Sequence, residues 1–292
     1  MTDILHTTDL AAHFLAALQA QNLSGLSRRP TLAVICGSSD AGPQAYIRRI
    51  ASLGEDAGVR LVTIEANGQT ETEFCETIRC LGDDPEIDGI LVLFPLPDGI
   101  RRNAVVDVMP PEKDVDCLHP LNLGKIMTGA PNFQPCTATG ALMAAHYLVS
   151  DLRGKNCVII GSSAVVGRPL SMRLLDLGAT VSVVHIDTQD IKEHCKTADV
   201  LFSAVGKAGL VDASWIKNGA TLIDIGISYS IEKGRVVGDM DLEAIMDKAS
   251  AITAVPDGVG PLTTCTLLAN TSQSAFNRAG HSFTFPALPQ RT

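Results

Sequence analysis

The chain is poor in aromatic residues, which make up 4% of its 292 positions, with a single tryptophan. Hydrophobic content is nonetheless 46%, so the core is built from Ala, Val, Leu and Ile, as in an α/β protein. A core of that size needs no disulfide staples. None is indicated either: the eight cysteines include no C-x-x-C pair, so they read as buried free thiols in a reducing compartment. No zinc or other metal site is expected. Basic residues are in deficit, with 23 Lys and Arg against 32 Asp and Glu and a net charge of −9. That balance argues against a nucleic-acid or anionic-membrane surface. No run reaches the ~18 apolar residues of a membrane span. The opening MTDILHTTDLAAHF lacks the unbroken apolar stretch of a signal peptide, and a cytoplasmic location is expected. Lysine is missing from the first 112 residues, an absence that gains meaning below.

What is present alternates between short apolar runs and helical periods. TLAVICG, VRLVTIEA and GILVLFPLP read as strands, with helices at the segment containing Tyr46 and at ETEFCETIRCLGDD. This is a βαβαβ pattern, hence a parallel sheet. After a proline-rich stretch, ATGALMAAHYLVSDL forms a long helix, and the pattern restarts with NCVIIG, TVSVVH, DVLFSAVG and ATLIDIGI. The length also favours two units over one. Two α/β domains are expected with a cleft between them: residues 1–140, joined by a C-terminal helix over 268–292, and a Rossmann-type unit over 141–267.

The stretch NCVIIGSSAVVGRPLSMRLLDLGA reads as strand, turn, helix, with Gly161 ending the strand and Gly167 opening the helix. Ser163 occupies the middle glycine position of G-x-G-x-x-G, and such a turn occurs in α/β folds of many kinds. Bare backbone N–H groups at a helix N-terminus do suit a pyrophosphate. The next strand ends at Asp187, where a dinucleotide fold holds the ribose hydroxyl, although Asp187 could equally cap the helix DTQDIKEHC. A nicotinamide cofactor is the favoured interpretation.

The segments AYIRR, DGILVLFPLPDGI, PEKDVDCLHPLNLGK, QPCTATGA, GSSAVVGRP and AVPDGVGPLT occur in the order and spacing of one family. Over about residues 30 to 270 the chain resembles the methylenetetrahydrofolate dehydrogenase/cyclohydrolase family. The resemblance implies two α/β domains, a reduced folate bound in the cleft and a homodimer formed through the cofactor domain. It places folate against Tyr46, Leu93, Asp116, Asp257, Gly260 and Pro261, with Asp116 holding the amino-pyrimidine edge. It places the cofactor on the loop of Gly161, Ser162, Ser163, Val166 and Gly167. Asp187, Val205, Gly206, Ile227 and Thr263 complete that site.

The chain departs from the family pattern at the family's hydrolytic positions. The pattern Tyr-x-x-x-Lys reads Tyr46 to Ile50 here, and Val-Gln-Leu-Pro reads Val92-Leu93-Phe94-Pro95. Both members of a polar pair have become aliphatic, and no earlier lysine can substitute. Arg48 and Arg49 lie close, but a guanidinium does not give up a proton. Cys117 and Asp257 stand where the family has glycine, and Ala138 where it has proline. The expected activity is hydride transfer from 5,10-methylenetetrahydrofolate to NAD, or less favourably NADP, without the following hydrolysis. Two alternatives are a same-fold oxidoreductase on another reduced pterin and a non-catalytic folate- or nucleotide-binding relative.

Overall fold

The computed structural model describes residues 2–291. The chain opens with β1 (Asp3–Leu5) and α1 (Thr8–Gly25), then β2 (Thr31–Cys36), α2 (Ala41–Ala57), β3 (Arg60–Glu65), α3 (Glu71–Asp83) and β4 (Gly89–Val92). The helices start and stop on local chemistry. α3 begins in a reciprocal capping box between Thr70 and Glu73. α2 ends at Gly58, whose φ of 69° directs its N–H back to the last-turn carbonyls. β2 is buried along its whole length, which explains why TLAVIC is uniformly apolar rather than alternating. These strands form a parallel sheet of order β3-β2-β4.

α4 (Arg102–Asp107), α5 (Pro120–Met127) and α6 (Cys136–Leu148) lead to the second sheet. There β5 (Asn156–Ile160), α7 (Gly167–Asp176), β6 (Thr180–Val184), α8 (Ile191–Cys195), β7 (Val200–Ser203) and β8 (Thr221–Asp224) alternate. A short hairpin, β9 (Ser228–Ser230) and β10 (Arg235–Val237), precedes α9 (Leu242–Ile245), β11 (Ala251–Thr253) and α10 (Val259–Arg278). The second sheet is parallel, of order β1-β11-β8-β7-β5-β6. Its order reverses at β5, which lies between β6 and β7, and such a reversal opens a crevice at the carboxyl ends of the strands.

Two details differ from the sequence expectation. β1 pairs with β11 in the second sheet, although residues 1–140 were assigned to the first unit; a three-residue strand carries no period that could reveal a partner near the other end of the chain. The C-terminal helix was expected over 268–292. It begins at Val259 and ends at Arg278, stopped by Gly280 at φ 73°, and residues 281–291 run on without helix. α10 packs on α1, α2 and α6, so the fold-back toward the first unit is as expected. Seven cysteines are buried and free; Cys80 is exposed, so the reading of all eight as buried is corrected.

Candidate functional site

Tyr46 and Ile50 lie one turn apart on α2 and face the same way. Ile50 is fully buried, and Leu93, just past β4, is 7% exposed. Both belong to one apolar cluster with Leu32, Val34 and Val115, and the Tyr46 ring packs against it. Ile50 and Leu93 thus form part of a continuous apolar floor beneath the tyrosine. Burial, with the nearby Asp116 charge, pushes the Tyr46 phenol well above the ordinary phenol value, while the Thr264 hydroxyl of α10 donates to the Gly260 carbonyl at 3.3 Å.

The two aspartates of KDVDC have separate tasks. Asp114 is buried and accepts the N–H groups of Leu118 at 3.0 Å and His119 at 2.8 Å, plus the Asn122 amide at 2.8 Å. It is a loop staple. Asp116 has no such backbone partners; burial and then the Asp114 charge push its pKa up to about 7, opposed by the Cys136 thiol and Arg102. A carboxylate without backbone donors and poised near neutrality is suited to a ligand. Cys117 follows at φ 62°, so the glycine usual there answers to backbone geometry. Burial raises the Cys117 thiol far above its ordinary range, which rules it out as a nucleophile at neutral pH.

The first lysine of the chain is also spoken for. Lys113 donates to the carbonyls of Leu81 at 3.1 Å, Gly82 at 2.6 Å and Asp84 at 2.7 Å. It ties α3 to the loop before Asp116.

At the other side of Tyr46, Arg49 pairs with Asp257 at 3.2 Å. Asp257 precedes α10 at φ 74°, where L-residues other than Asn and Asp are costly. Gly260 lies beside the same guanidinium, and Pro261 is buried in the first turn of α10. Helices α6 and α10 approach closely because Gly140 lacks a side chain: a Cβ there would lie 2.7 Å from the Thr263 nitrogen. Thr263 and Thr264 therefore serve different neighbours from adjacent positions.

The glycine loop stands at the switch point of the second sheet. Gly161 has φ 113°, and a Cβ on Gly167 would overlap the Gly161 carbonyl oxygen. The Ser163 hydroxyl accepts the Val166 N–H at 3.1 Å, and α7 carries no side-chain cap. The Arg168 N–H is taken by the Ser163 carbonyl at 3.0 Å and Pro169 has none, so among the described residues the Gly167 N–H is the donor this helix end leaves for an anion, and the close backbone approach at Gly161 and Gly167 fits a dinucleotide pyrophosphate. Gly167→Ala is expected to cost about 1–3 kcal/mol of stability and to abolish the melting-temperature rise produced by NAD or NADP. An unchanged cofactor-dependent shift would contradict this assignment of the loop.

Asp187 does not cap the following helix, which begins at Ile191 behind Asp190. It sits in the turn after β6, 86% exposed, with the His185 ring 3.6 Å away. Facing the loop across β7, Val205 and Lys207 donate their N–H groups to Asp239, each at 2.8 Å. Ser228 donates to the Gly206 carbonyl at 3.0 Å, beside the exposed Ile227. Asp239 is fully buried. It is backed by Asp224, whose carboxylate accepts the N–H groups of Asp239 at 3.0 Å and Met240 at 2.9 Å. Burial pushes Asp224 up to about 7. These two acids shape the SAVGK and GIS loops and were missed from sequence, although an acid ending each of the runs LID and VGD was the available signal.

A shallow groove of about 530 Å³ lies elsewhere, along α3 between Asn67 and Leu81. It includes none of the residues above.

Residues 5–116 match the family model for the catalytic domain of tetrahydrofolate dehydrogenase/cyclohydrolase, and residues 135–279 the model for its NAD(P)-binding domain. The chain is 41% identical over 279 residues to the bifunctional protein FolD of Methanospirillum hungatei, covering 95% of this chain and 99% of that one. Among solved structures, the bifunctional FolD dehydrogenase/cyclohydrolase of Campylobacter jejuni is 37% identical, with a TM-score of 0.90 over 95% of this chain and 100% of that chain. The Trypanosoma brucei dehydrogenase-cyclohydrolase, complexed with NADP and an inhibitor, is 30% identical with a TM-score of 0.88, covering 96% and 99%.

Proposed function

The chain belongs to the tetrahydrofolate dehydrogenase/cyclohydrolase family, and from that premise we propose that it oxidises 5,10-methylenetetrahydrofolate without hydrolysing the product. The observation that carries the second half is the apolar floor of Ile50 and Leu93 under Tyr46. Hydride transfer asks the protein only to hold donor and acceptor carbons in line. A nicotinamide dinucleotide on the glycine loop supplies the hydride acceptor. Tyr46 stacks near the pterin and Asp116 accepts from its amino-pyrimidine edge. Water addition to the methenyl cation needs a proton acceptor at the bridging carbon, and Ile50 offers none. The test follows reduced cofactor and the methenyl band separately by absorbance. Reduction of NAD or NADP with accumulating methenyltetrahydrofolate supports the reading; absence of reduction would reject it.

NAD is the preferred partner in this reading. Asp187 suits a ribose 2′-hydroxyl and repels a 2′-phosphate at short range. Arg168 is close enough in sequence to work against that preference. Asp187→Ser is expected to shift the ratio of kcat/KM values toward NADP by about tenfold. A wild-type preference for NADP that Asp187→Ser leaves unmoved would refute it.

The unpaired buried cysteines fit a reducing cytoplasm. A homodimer through the cofactor unit fits the exposed Ile227, Tyr229 and Ile231 around the β9–β10 hairpin.

A further inference from the structure

We propose that the Arg49–Asp257 pair is an electrostatic device for the methenyl cation, with Asp257 its stabilising carboxylate and Arg49 its positioning residue. The inference rests on the dehydrogenase reading above and deepens it. Oxidation converts a neutral methylene bridge into a delocalised N–C–N cation, so positive charge develops at one place in the site. An enzyme that hydrolyses the cation disposes of this charge in its next step. A chain that stops there releases the cation itself, and a fixed negative charge nearby favours both its formation and its retention.

Four observations place such a charge here. Arg49 Nη2 meets Asp257 Oδ1 at 3.2 Å, while Asp257 Oδ2 accepts no hydrogen bond among the described residues. One oxygen is anchored and the other is available. Arg49 follows Tyr46 by three residues on α2, so the two share a face of the helix, and its guanidinium lies beside Gly260 at the start of α10. Both side chains are incompletely buried, at 35% and 46% exposure, which leaves them open to a ligand.

The fourth is a fixed backbone. Asp257 sits at φ 74°, a conformation that Asp tolerates better than most L-residues. Its carbonyl accepts the Thr7 N–H at 2.8 Å, so the carboxylate projects from a held loop. An ordinary ion pair between exposed groups contributes little to stability, so stability alone gives a weak reason for it.

The experiment compares two folates that differ in charge at the bridge: tetrahydrofolate, which is neutral there, and methenyltetrahydrofolate, which is cationic. Dissociation constants are measured by calorimetry for the unmodified protein, Asp257→Asn and Asp257→Gly. Asn keeps the shape and tolerates the left-handed backbone; Gly suits that backbone too and guards against a folding artefact. Both variants are expected to weaken methenyltetrahydrofolate binding about tenfold more than they weaken tetrahydrofolate binding, with the dehydrogenase kcat lowered by a similar factor. Equal weakening of both folates, or no weakening of either, would overturn the inference while leaving the dehydrogenase assignment standing. Failure of the unmodified chain to bind either folate or to reduce cofactor would instead overturn the assignment, and this inference with it.

Discussion

Purified protein is expected to leave the decay of methenyltetrahydrofolate at the rate seen in buffer, while it reduces cofactor with the methylene substrate. A positioned base contributes about 10²–10⁴-fold to such a proton transfer, and among the described residues no lysine stands at position 50. Ile50 is fully buried, Lys113 is bound to three carbonyls, and Arg49 is engaged by Asp257. The double substitution Ile50→Lys with Leu93→Gln restores the polar pair and is expected to raise the decay rate measurably above buffer. Each single substitution should recover less, because a lysine facing Leu93 lacks its hydrogen-bonding partner. Burial lowers stability in all three, most in Ile50→Lys alone, by about 2–4 kcal/mol. Melting curves must therefore accompany the kinetics. Cyclohydrolase turnover by the unmodified chain at a rate matching its dehydrogenase step would end the argument.

The second large effect concerns Asp116. Its carboxyl is pushed up to about 7, so near neutrality it changes between a donor-bearing acid and a pure acceptor. Only the ionised form can accept two hydrogen bonds from an amino-pyrimidine edge. For the dehydrogenase, kcat/KM should accordingly rise with pH through about 7 and level off above it. Asp116→Asn replaces one acceptor with a donor; it is expected to lower kcat/KM by about 10²-fold and to remove that limb of the profile. A variant that keeps the same pH dependence would exclude Asp116 as its origin.

Linkage gives an independent check on the same group. With a folded-state value near 7 against an ordinary 3.8, the unfolded chain releases this proton first as pH rises. Stability contributed by the protonated form is therefore complete below about 4 and lost between there and about 7. Asp224 shares the direction and the window, so Asp116→Asn should flatten the fall only in part.

Much of the architecture was written in one-dimensional signals. Strands β2, β4, β7 and β8 announce themselves as apolar runs because they are buried along their whole length, whereas the edge strands β3 and β6 carry exposed positions. The loop from Gly161 to Gly167 is legible because two positions there admit no Cβ without a clash. That Tyr46 and Ile50 share a face was visible from spacing alone, since residues four apart on a helix do so wherever that helix goes; that Ile50 and Leu93 stand at the positions of a polar pair came only from the resemblance to the family pattern.

Tertiary structure decided what depended on distant partners. Strand β1 joins the second sheet because its partner β11 lies near the opposite end of the chain, and three residues hold no period. KDVDC contains two aspartates of identical local propensity; only the fold consumes Asp114 with backbone donors and leaves Asp116 without them. Asp239 became the organiser of the second-sheet loops through N–H groups more than thirty residues upstream. From sequence Asp257 was only a departure from the family's glycine; its Arg49 partner comes from another element across the fold. Local geometry travels with the sequence, whereas the pairing of buried charges is set by whichever elements the packed core brings together.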